Sequence, residues 1–373
     1  MSDLFIGLMS GTSLDGVDGV LVEWPPGDER CFDVLAHCHL GFEPALADEL
    51  LALNSAGGSD ELHRAALAGN AVARRYAEVV ARLLASSGRS AGEVSAIGAH
   101  GQTVRHRPGQ FDGSGYTLQL NNPALLAELS GIAVVADLRS RDVAAGGQGA
   151  PLVPAFHRNV FGQAGQALAV LNLGGIGNLT LLGPDDSVLG FDCGPGNALL
   201  DLWVRRHRGE AFDADGAWAA AGQVHAALLA AMQSEPYFAL PPPKSTGRDL
   251  FHAEWLARQL AAVPGVAAGD VQSTLAELSA WAAARDLQRY APQARELLVC
   301  GGGAFNAHLM ARLAAQLPGV QVRSTVERGL PPDQVEACAF AWLARAFLRR
   351  EPGNLPSVTG ARGPRVLGSL YPA

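Results

Sequence analysis

Hydrophobic residues along this chain alternate between short strand-like runs and longer stretches with helical spacing. Residues 5–9 form an apolar run, and residues 17–22 continue a second, valine-rich run after a turn rich in Gly, Ser and Thr. Residues 168–183 repeat that plan around a Gly/Asn turn, and residues 296–303 run from a strand into three glycines. The pattern therefore predicts an α/β protein in which glycine loops follow buried strands.

Helical spacing fills most of the remaining chain. Apolar positions recur at intervals of three and four between residues 60 and 87, as one helix or two, and stop at Gly88. Further helices are predicted at residues 123–129, 197–208, 215–233, 251–262, 270–290, 305–317 and 332–350. Further strands are predicted at residues 31–40, 94–99, 116–120, 132–136 and 187–191. Because α/β proteins place their chemistry at strand ends, the polar residues there are candidates: His100, Gln102, Asn121 and Asp137.

The composition is that of a globular protein large enough for two domains. The chain has 373 residues, of which 48% are hydrophobic and 17% are charged. This length exceeds what one hydrophobic core commonly supports. The long uncharged stretch at residues 162–184 is interrupted by Gly, Asn and Gln, so it is interpreted as buried strand and loop, not as a membrane span.

Charge and cysteine usage narrow the possible partners. A net charge of −8 and a pI near 5.7 argue against nucleic acid and anionic membranes. The five cysteines form no CxxC pair, which favours reduced thiols over a disulfide framework or a zinc site. The chain also begins without a basic region followed by an apolar core. We therefore expect a cytoplasmic protein that binds small molecules.

The first glycine loop has the chemistry of a phosphate grip. Glycines and small hydroxyl residues allow backbone N–H groups to close on an anion, and Asp15 and Asp18 supply carboxylates within reach of a divalent cation. The P-loop pattern is absent from the chain, and the strand-like residues after this loop do not fit a dinucleotide fingerprint. For this loop alone, an ordinary β-hairpin with a long turn is the alternative.

Longer motifs resemble those of the anhydro-N-acetylmuramic acid kinases, in order and across nearly the whole chain. They are residues 7–18 (GLMSGTSLDGVD), 98–103 (GAHGQT), 139–151 (RSRDVAAGGQGAP), 190–197 (GFDCGPGN), 244–248 (KSTGR), 300–306 (CGGGAFN) and 368–372 (GSLYP). The resemblance implies a two-lobed α/β fold of the actin-like ATPase and sugar kinase type. Each lobe would contain a mixed sheet, with the nucleotide in the cleft between the lobes. We expect the first lobe at residues 1–138, with residues 350–373 packing back on it, and the second at residues 139–349.

The same resemblance implies an ATP- and Mg²⁺-dependent phosphotransferase in peptidoglycan recycling and amino-sugar metabolism. Its substrate would be 1,6-anhydro-N-acetylmuramic acid, which has no free 6-hydroxyl group. Water would add at the anomeric carbon and cleave the anhydro ring, and O6 would take the γ-phosphoryl group. The product would be N-acetylmuramic acid 6-phosphate.

Asp192 is the expected catalytic base. It follows the predicted strand at 187–191 and precedes a Gly-Pro-Gly-Asn turn onto a helix, whose N-terminus would favour an ionised carboxylate. Position alone suits a helix cap equally well. The resemblance favours catalysis, with Asp192 activating the water.

Nucleotide contacts are expected from three loops. The first contributes Gly11, Thr12, Ser13, Leu14, Asp15, Gly16, Val17 and Asp18. The second contributes Asn172, Gly174, Gly175 and Asn178, and Gly301, Gly302, Gly303 and Asn306 would line the adenosine end. Asp18, or alternatively Asp15, would hold Mg²⁺ through water. The wider superfamily often has an aspartate before the first glycine turn, where this chain has Ile6 or Leu8.

Sugar contacts are expected from polar residues of the other motifs. Arg139 and Arg141, placed on a strand, would share a face, and Arg141 would grip the lactyl carboxylate; a surface ion pair is the alternative. His100, Gln102 and Asn121 would hydrogen-bond the sugar hydroxyl or N-acetyl groups.

Two further charged residues have open roles. Glu336 falls on a largely apolar helix, as a solvated position or as a contact to the substrate. Lys244 is the one lysine in the chain and is expected to have an active-site or structural-anchor role, with an incidental surface lysine as the alternative.

Two other functions fit parts of the sequence. A plain kinase for a free sugar or small carboxylate would use Asp192 on a hydroxyl group. A non-catalytic actin-like module would use its nucleotide state to govern assembly, but it would not need the polar residues at strand ends outside the phosphate loops. Only the motif resemblance separates the first two functions. We also expect a homodimer, since the apolar helices of the second lobe leave room for an interface.

Overall fold

The computed structural model describes residues 3–11, 13–25, 27, 30–247 and 250–373. The chain forms two compact units, one of residues 1–160 and 334–373 and the other of residues 161–333. The strands are β1 (Asp3–Ser10), β2 (Gly16–Trp24), β3 (Asp33–Gly41), β4 (Ala96–Pro108), β5 (Gly115–Leu120), β6 (Val134–Ala136), β7 (Leu168–Leu173), β8 (Ile176–Leu182), β9 (Val188–Pro195), β10 (Glu296–Cys300), β11 (Gln321–Ser324) and β12 (Ser369–Tyr371).

Helices connect most of these strands. They are α1 (Pro44–Leu53), α2 (Glu61–Ser87), α3 (Pro123–Ser130), α4 (Ser140–Ala144), α5 (Val153–Phe161), α6 (Ala198–Arg208), α7 (Ala217–Ala221), α8 (Ala226–Gln233), α9 (Ala253–Ala262), α10 (Ala268–Tyr290), α11 (Ala307–Gln316), α12 (Val335–Leu348) and α13 (Pro356–Thr359). Short 3₁₀ turns lie at Ala91–Glu93, Ala214–Gly216, Pro236–Ala239, Gly302–Phe305 and Thr325–Arg328.

The first unit is built on a seven-stranded sheet. Its order is β12-β6-β4-β1-β2-β3, with β5 paired to β4 outside that path. Strand β1 pairs antiparallel with β2 and parallel with β4, so the sheet is mixed. Alternate residues of β1 point to opposite faces, and Ile6 and Leu8 pack into a core with Tyr76 and Val79 of α2.

Helix α12 covers the other face of this sheet at very short range. A Cβ atom on Gly7 of β1 would lie 1.8 Å from Ala337 O, and one on Gly98 of β4 would lie 2.0 Å from Phe340 O. No side chain fits between the helix backbone and the strands at these two points. Glycine is therefore what allows α12 to lie directly on β1 and β4.

The second unit is built on a five-stranded mixed sheet in the order β11-β10-β7-β8-β9. Strand β10 pairs in parallel with β7 and β11, whereas β7, β8 and β9 form an antiparallel meander. Leu171, Leu179 and Phe191 point from one face into a core that also holds Trp255 and Leu278. Helix α10 is buried along most of its length and contributes many of the side chains of that core.

The predicted α/β class with a mixed sheet in each part of the chain is confirmed. Two local predictions are wrong. The helix expected at 215–233 is interrupted between α7 and α8, where Gly222 has extended backbone and lies so close to α10 that a Cβ atom there would be 2.3 Å from Gly269 O. Arg141 lies on the short helix α4, with Arg139 as its N-cap residue, and not on a strand.

The two units divide the chain at other points than those expected from the sequence. Residues 139–160 and 334–349 belong to the first unit, although the sequence placed them in the second. The buried carboxylate of Asp142 explains part of this difference. It accepts hydrogen bonds from Gly149 N at 2.7 Å, Asn354 Nδ2 at 2.6 Å and Thr359 Oγ1 at 2.8 Å. These bonds tie the 139–149 segment to the C-terminal part of the first unit.

No helix in the described ranges is long and apolar enough to cross a lipid bilayer. All five cysteines are free thiols. Burial raises the pKa of the Cys193 and Cys338 thiols far above their ordinary value. These two thiols are therefore protonated and poor nucleophiles at neutral pH.

Candidate functional site

The turn between β1 and β2 carries the first expected nucleotide loop. Leu14 N donates to Gly11 O at 3.3 Å, and the Ser13 hydroxyl donates to Asp15 Oδ1 at 2.6 Å. The turn is thus closed by its own hydrogen bonds before any ligand binds. Thr12, which was also expected here, lies outside the described residues.

The remaining residues of this motif belong to β2. A Cβ atom on Gly16 would lie 2.5 Å from a carbonyl oxygen of β3, so the two strands meet closely there. The Val17 side chain is fully buried in the core of the first unit and offers a ligand only its backbone. Asp18 Oδ1 lies 2.8 Å from His39 Nδ1 and 3.7 Å from His37 Nε2.

The two histidines determine the charge state of Asp18. Burial raises the pKa of the Asp18 carboxyl, but hydrogen bonds and charge from His37 and His39 outweigh burial and leave that pKa below its ordinary value. Asp18 is therefore ionised at neutral pH. Among the described residues, no group of three or more His, Cys, Asp or Glu side chains is arranged to hold a metal ion.

His100 is bonded through both ring nitrogens within the first unit. Its Nδ1 lies 3.2 Å from Ser10 O, and its Nε2 lies 3.0 and 2.9 Å from Arg139 Nε and Nη2. Because a guanidinium group can only donate, Nε2 must accept and Nδ1 must carry the proton. Burial, together with the charge of Arg139, holds the pKa of His100 well below its usual value. His100 thus links Arg139 to the first loop and has no ring nitrogen left for a sugar.

Gln102 and Asn121 carry polar atoms that have no hydrogen-bond partner among the described residues. Gln102 is fully buried and donates through Nε2 to Gly11 O at 3.0 Å, but its Oε1 has no hydrogen-bond partner in the described part of the chain. Neither Nδ2 nor Oδ1 of Asn121 has a partner among those residues. The two lie near each other in the chain's fold, since Gln102 of β4 pairs with Leu120 of β5, the residue before Asn121. An unpaired buried polar atom costs about 1–3 kcal/mol, which a polar ligand would recover.

Arg141 and Glu336 lie on helices of the first unit. Arg141 is exposed on α4, and residues two apart on a helix point about 200° apart, so Arg139 and Arg141 do not share a face. Glu336 is half-buried in the first turn of α12, where the helix N-terminus favours a carboxylate.

In the second unit, three expected residues form a row across the sheet. Asn172 of β7 lies directly opposite Asn178 of β8, which lies opposite Asp192 of β9. Directly opposite residues project from the same face, and strands are about 4.8 Å apart, so the row spans about 10 Å. Asn172 Oδ1 is buried and has no hydrogen-bond partner in the described ranges. The row is a polar surface on the face away from the core that contains Leu171.

Asp192 is fixed at the edge strand of that sheet. The sequence predicted that Asp192 follows the strand, whereas it lies within β9. Its Oδ2 accepts a hydrogen bond from Thr246 N at 2.9 Å, its N–H donates to Lys244 O at 3.2 Å, and its carbonyl accepts from the Tyr237 hydroxyl at 2.7 Å. The N-cap residue of α6 is Asn197, so the alternative of Asp192 as the cap of this helix is wrong.

The Gly174–Gly175 turn is fastened to the start of α6. Asn197 N donates to Gly174 O at 2.8 Å, and Ala198 N donates to Gly175 O at 3.0 Å. The Asn197 side chain donates to Leu173 O at 2.9 Å. The turn that follows the Asn172 strand is therefore held in one conformation by the N-terminus of α6.

The third glycine loop packs against the second. Gly301 has φ 77°, and a Cβ atom there would lie 2.4 Å from Asn172 Oδ1. A Cβ atom on Gly303 would lie 2.5 Å from Leu173 Cβ, whereas the nearest atom to one on Gly302 is at 3.9 Å. Asn306 caps α11 through Oδ1, which accepts from Leu309 N at 2.9 Å. Gly302 therefore has the most open backbone in this loop.

The sequence pointed to Lys244 but gave no partner for it. Its Nζ lies 2.8 Å from Asp286 Oδ2 of α10, and the two side chains are 2% and 0% exposed. These contacts correspond to a structural anchor and not to the alternative of a surface lysine. Thr246, which bonds Asp192 directly, lies in the 244–248 motif, but the sequence assigned it no role, and Tyr237 lies in no motif and at no predicted strand end.

Comparison with known proteins identifies the family across the chain. The family model described as anhydro-N-acetylmuramic acid kinase matches residues 3–373. The chain is 62% identical over 376 residues to an anhydro-N-acetylmuramic acid kinase of Variovorax paradoxus, covering 100% of this chain and 99% of that protein. It is 60% identical over 373 residues to the protein of the same name from Bordetella petrii, and the match covers 99% of this chain and 96% of that protein.

Solved structures give more distant likenesses. An activator of the 2-hydroxyisocaproyl-CoA dehydratase from Clostridium difficile, with bound ADPNP, matches at a TM-score of 0.47 and 12% identity, over 92% of this chain and 94% of that one. A xylulose kinase from Rhodospirillum rubrum matches at a TM-score of 0.44 and 14% identity, over 98% of this chain and 94% of that one. At these scores no conclusion follows from either likeness.

Proposed function

This chain belongs to the anhydro-N-acetylmuramic acid kinase family, and from that premise we propose that it phosphorylates 1,6-anhydro-N-acetylmuramic acid with ATP. The chain is then a phosphotransferase with an alcohol acceptor. Its reaction consumes the anhydro sugar, water and ATP, and yields N-acetylmuramic acid 6-phosphate and ADP. The role that follows is recycling of cell-wall amino sugar.

The reaction joins two displacements on one sugar. Water attacks the anomeric carbon, the bond from that carbon to O6 breaks, and the electron pair of this bond goes to O6. O6 then takes the γ-phosphoryl group, and ADP leaves. Asp192 accepts one proton of the attacking water and later releases it to solvent. This use of a carboxylate to aim water at an anomeric carbon is the logic of an inverting glycosidase.

The fixed carboxylate of Asp192 is the observation that carries this proposal. Its Oδ2 bond to Thr246 N at 2.9 Å favours the ionised, proton-accepting form. Asn178 and Asn172 continue the same polar row toward the second and third glycine loops. A base next to amide groups that can orient water or phosphate is the arrangement that coupled ring opening needs.

Substrate recognition is assigned to unpaired polar groups of the first unit. Gln102 Oε1 and the Asn121 amide would bond sugar hydroxyl or N-acetyl groups, because both lack partners within the described residues. Arg141 is exposed, so its guanidinium group can bind the lactyl carboxylate, and Glu336 would contact the sugar from α12. His100 acts on the substrate only indirectly, by holding Arg139 and the Ser10 carbonyl.

Nucleotide binding is assigned to the three glycine loops. Gly11, Ser13, Leu14, Asp15 and Gly16 would enclose phosphate, and Gly174, Gly175 and Asn178 would do so from the second loop. The open backbone at Gly302 suits a purine or ribose. Asp18 is ionised and bonded to histidine through only Oδ1, which fits an outer-shell contact to Mg²⁺ through water. When bound, Mg²⁺ would neutralise charge on the phosphates.

A cytoplasmic location and a homodimer complete the proposal. The five free thiols support a reducing compartment. Light scattering that returned the mass of a single chain, 38.8 kDa, would contradict the dimer.

The function is tested by the mass of the product. With 1,6-anhydro-N-acetylmuramic acid, ATP and Mg²⁺, we expect a product that is heavier by one phosphoryl group and one water. If the anhydro sugar were left unchanged and only an already open sugar were phosphorylated, the chain would be a plain sugar kinase.

Substitution of Asp192 by Asn tests the base. We expect kcat to fall about 10²- to 10⁴-fold, because general-base catalysis contributes that much. Binding of a non-hydrolysable ATP analogue, measured by calorimetry, should stay unchanged. Asp185→Asn, an exposed residue of the turn before β9, is the matched control and should keep kcat. Substantial turnover by Asp192→Asn would rule out this choice of base.

A further inference from the structure

Lys244, whose carbonyl oxygen accepts a hydrogen bond from Asp192 N, forms a buried ion pair with Asp286. Lys244 Nζ and Asp286 Oδ2 are 2.8 Å apart, and neither side chain is appreciably exposed. Asp286 Oδ1 also accepts from Arg285 Nε at 2.9 Å. Burying a pair of charges is often no more stabilising than apolar packing of the same volume. The presence of this pair, which uses the one lysine of the chain, therefore calls for a role other than stability.

The backbone around Lys244 forms the outer neighbour of β9. Strand β9 is at the edge of its sheet, and on that side Asp192 N donates to Lys244 O at 3.2 Å. Two residues further on, Thr246 N donates to Asp192 Oδ2 at 2.9 Å. The segment 244–246 thus bonds both the main chain and the carboxylate of Asp192.

The ammonium group of Lys244 also contacts the aromatic residues around Asp192. It lies 5.1 Å from the ring centre of Tyr237 and 5.4 Å from that of Phe191. These distances are within the range of cation–π attraction. Tyr237 in turn donates its hydroxyl hydrogen to Asp192 O at 2.7 Å. The Lys244 side chain therefore fixes the 244–246 segment and the tyrosine, both of which hold Asp192.

We propose that Lys244 and Asp286 are a positioning pair, which sets the orientation of the Asp192 carboxylate by holding Thr246 N against its Oδ2. The proposal rests on the proposed function, because it assigns to Asp192 the role of base. Lys244 is a positioning residue and not a catalytic one, since its ammonium group is bonded to Asp286 and buried from substrate.

Loss of the pair should change kcat and its pH dependence. In Lys244→Met the segment 244–246 is no longer tied to α10, and the hydrogen bond from Thr246 to the carboxylate weakens. We expect kcat to fall at least tenfold, with KM for both substrates changed by less than twofold. The acidic limb of the kcat profile should move to higher pH, because a carboxylate that loses a donor binds its proton more tightly. Lys244→Arg, which keeps the charge, should recover most of the lost kcat.

A second ion pair of the same helix, with a buried carboxylate and a half-buried arginine, provides the control. Glu277 of α10 pairs with Arg312 of α11 at 2.5 Å, and the Glu277 side chain is 6% exposed. Arg312→Met also removes the cation from a buried carboxylate of α10, and Glu277 keeps a hydrogen bond from Gln316 as Asp286 keeps one from Arg285 in Lys244→Met. We expect it to lower the melting temperature, while kcat stays within twofold of wild type and the pH profile does not move.

The outcomes separate positioning from mere stability. A folded Lys244→Met protein with wild-type kcat and pH profile would overturn the proposal. A loss of kcat no larger than that of an Arg312→Met protein of equal melting temperature would also overturn it. If Lys244→Met does not fold, Asp286→Asn, which keeps the volume and an acceptor, is measured against the same expectations.

The wild-type protein is assayed alongside with the anhydro sugar. Absence of turnover by wild type would overturn the proposed function and this inference with it. Normal wild-type turnover with an unaffected Lys244 variant would overturn the positioning pair alone.

Discussion

Asp192 is held at its carboxylate, its N–H group and its carbonyl oxygen by hydrogen bonds to the segment 244–246 and to the Tyr237 hydroxyl group. One carboxylate oxygen accepts a hydrogen bond from Thr246 N, and the backbone N–H and carbonyl groups of Asp192 are bonded to Lys244 O and to the Tyr237 hydroxyl group. The carboxylate therefore has few orientations available. Preorganisation of this kind lowers the entropy that the reaction would otherwise lose when the base meets its water. In the proposed mechanism, the same contacts would hold this half-buried aspartate of an edge strand in place as the base.

His157 makes the stability of the protein depend on pH. Burial lowers the pKa of its imidazole to about 3, from an ordinary value of about 6.5. Above pH 6.5 the ring is neutral in both the folded and the unfolded chain. Its contribution to the free energy of unfolding is then fully present. As the pH falls below 6.5, the unfolded chain binds a proton first, so the free energy of unfolding decreases. Between pH 6.5 and 5 we expect a loss of about 2 kcal/mol from this group.

Urea unfolding at the two pH values measures this loss. His157→Leu removes the titrating ring, so the difference between pH 6.5 and 5 should shrink by about that amount. Burial also lowers the pKa of His100, together with the charge of Arg139, and the pKa of His308, so both residues contribute to the pH dependence that remains in the variant. An unchanged difference in His157→Leu would contradict the assignment.

Helix α12 is the element whose position depends most on single residues. Its backbone lies on Gly7 and Gly98, where a Cβ atom would come within 1.8 and 2.0 Å of carbonyl oxygens. A helix backbone cannot yield as a flexible side chain does. We expect Gly98→Ala to lower the free energy of unfolding by about 3 kcal/mol, the upper range for overpacking.

Chemical denaturation of two alanine variants tests this packing. Gly92→Ala is the matched control, because a Cβ atom at this exposed position would have no atom within 4 Å. It should change the free energy of unfolding by no more than about 0.5 kcal/mol. Equal stability of the two variants would mean that α12 does not lie as closely on β4 as the structure has it.

The spacing of apolar residues along the chain predicted most helices and strands, but not the points at which they are interrupted. The predicted helix at 270–290 corresponds to α10, and the period at 60–87 corresponds to α2, because long apolar stripes dominate the signal. The break at Gly222 lies at its close approach to Gly269, a tertiary contact that periodicity does not contain. Helix α4 has five residues, too few for a helical period, which is why Arg139 and Arg141 were assigned to a strand.

At the scale of the whole chain, the resemblance of motifs supplied the candidate residues, whereas their environments came only from the structure. Asp192 was named from the sequence, but its anchors Tyr237 and Thr246 lie 45 and 54 positions away. Asp286 is 42 positions from Lys244, and no spacing rule joins them. The hydrogen bonds of Asp142 to Asn354 and Thr359 likewise placed the 139–149 segment in the first unit, against the sequence boundary.

The central claim is that water opens the sugar at the anomeric carbon while O6 takes the phosphoryl group. Its most direct test is the reaction in ¹⁸O-labelled water, quenched early, with fragments of the product analysed by mass spectrometry. Unlabelled product incubated in labelled water corrects for slow exchange at the anomeric position. We predict one label on the anomeric hydroxyl group and none in the phosphate. Label in the phosphoryl group of the product, or a product with no label beyond exchange, would contradict the mechanism.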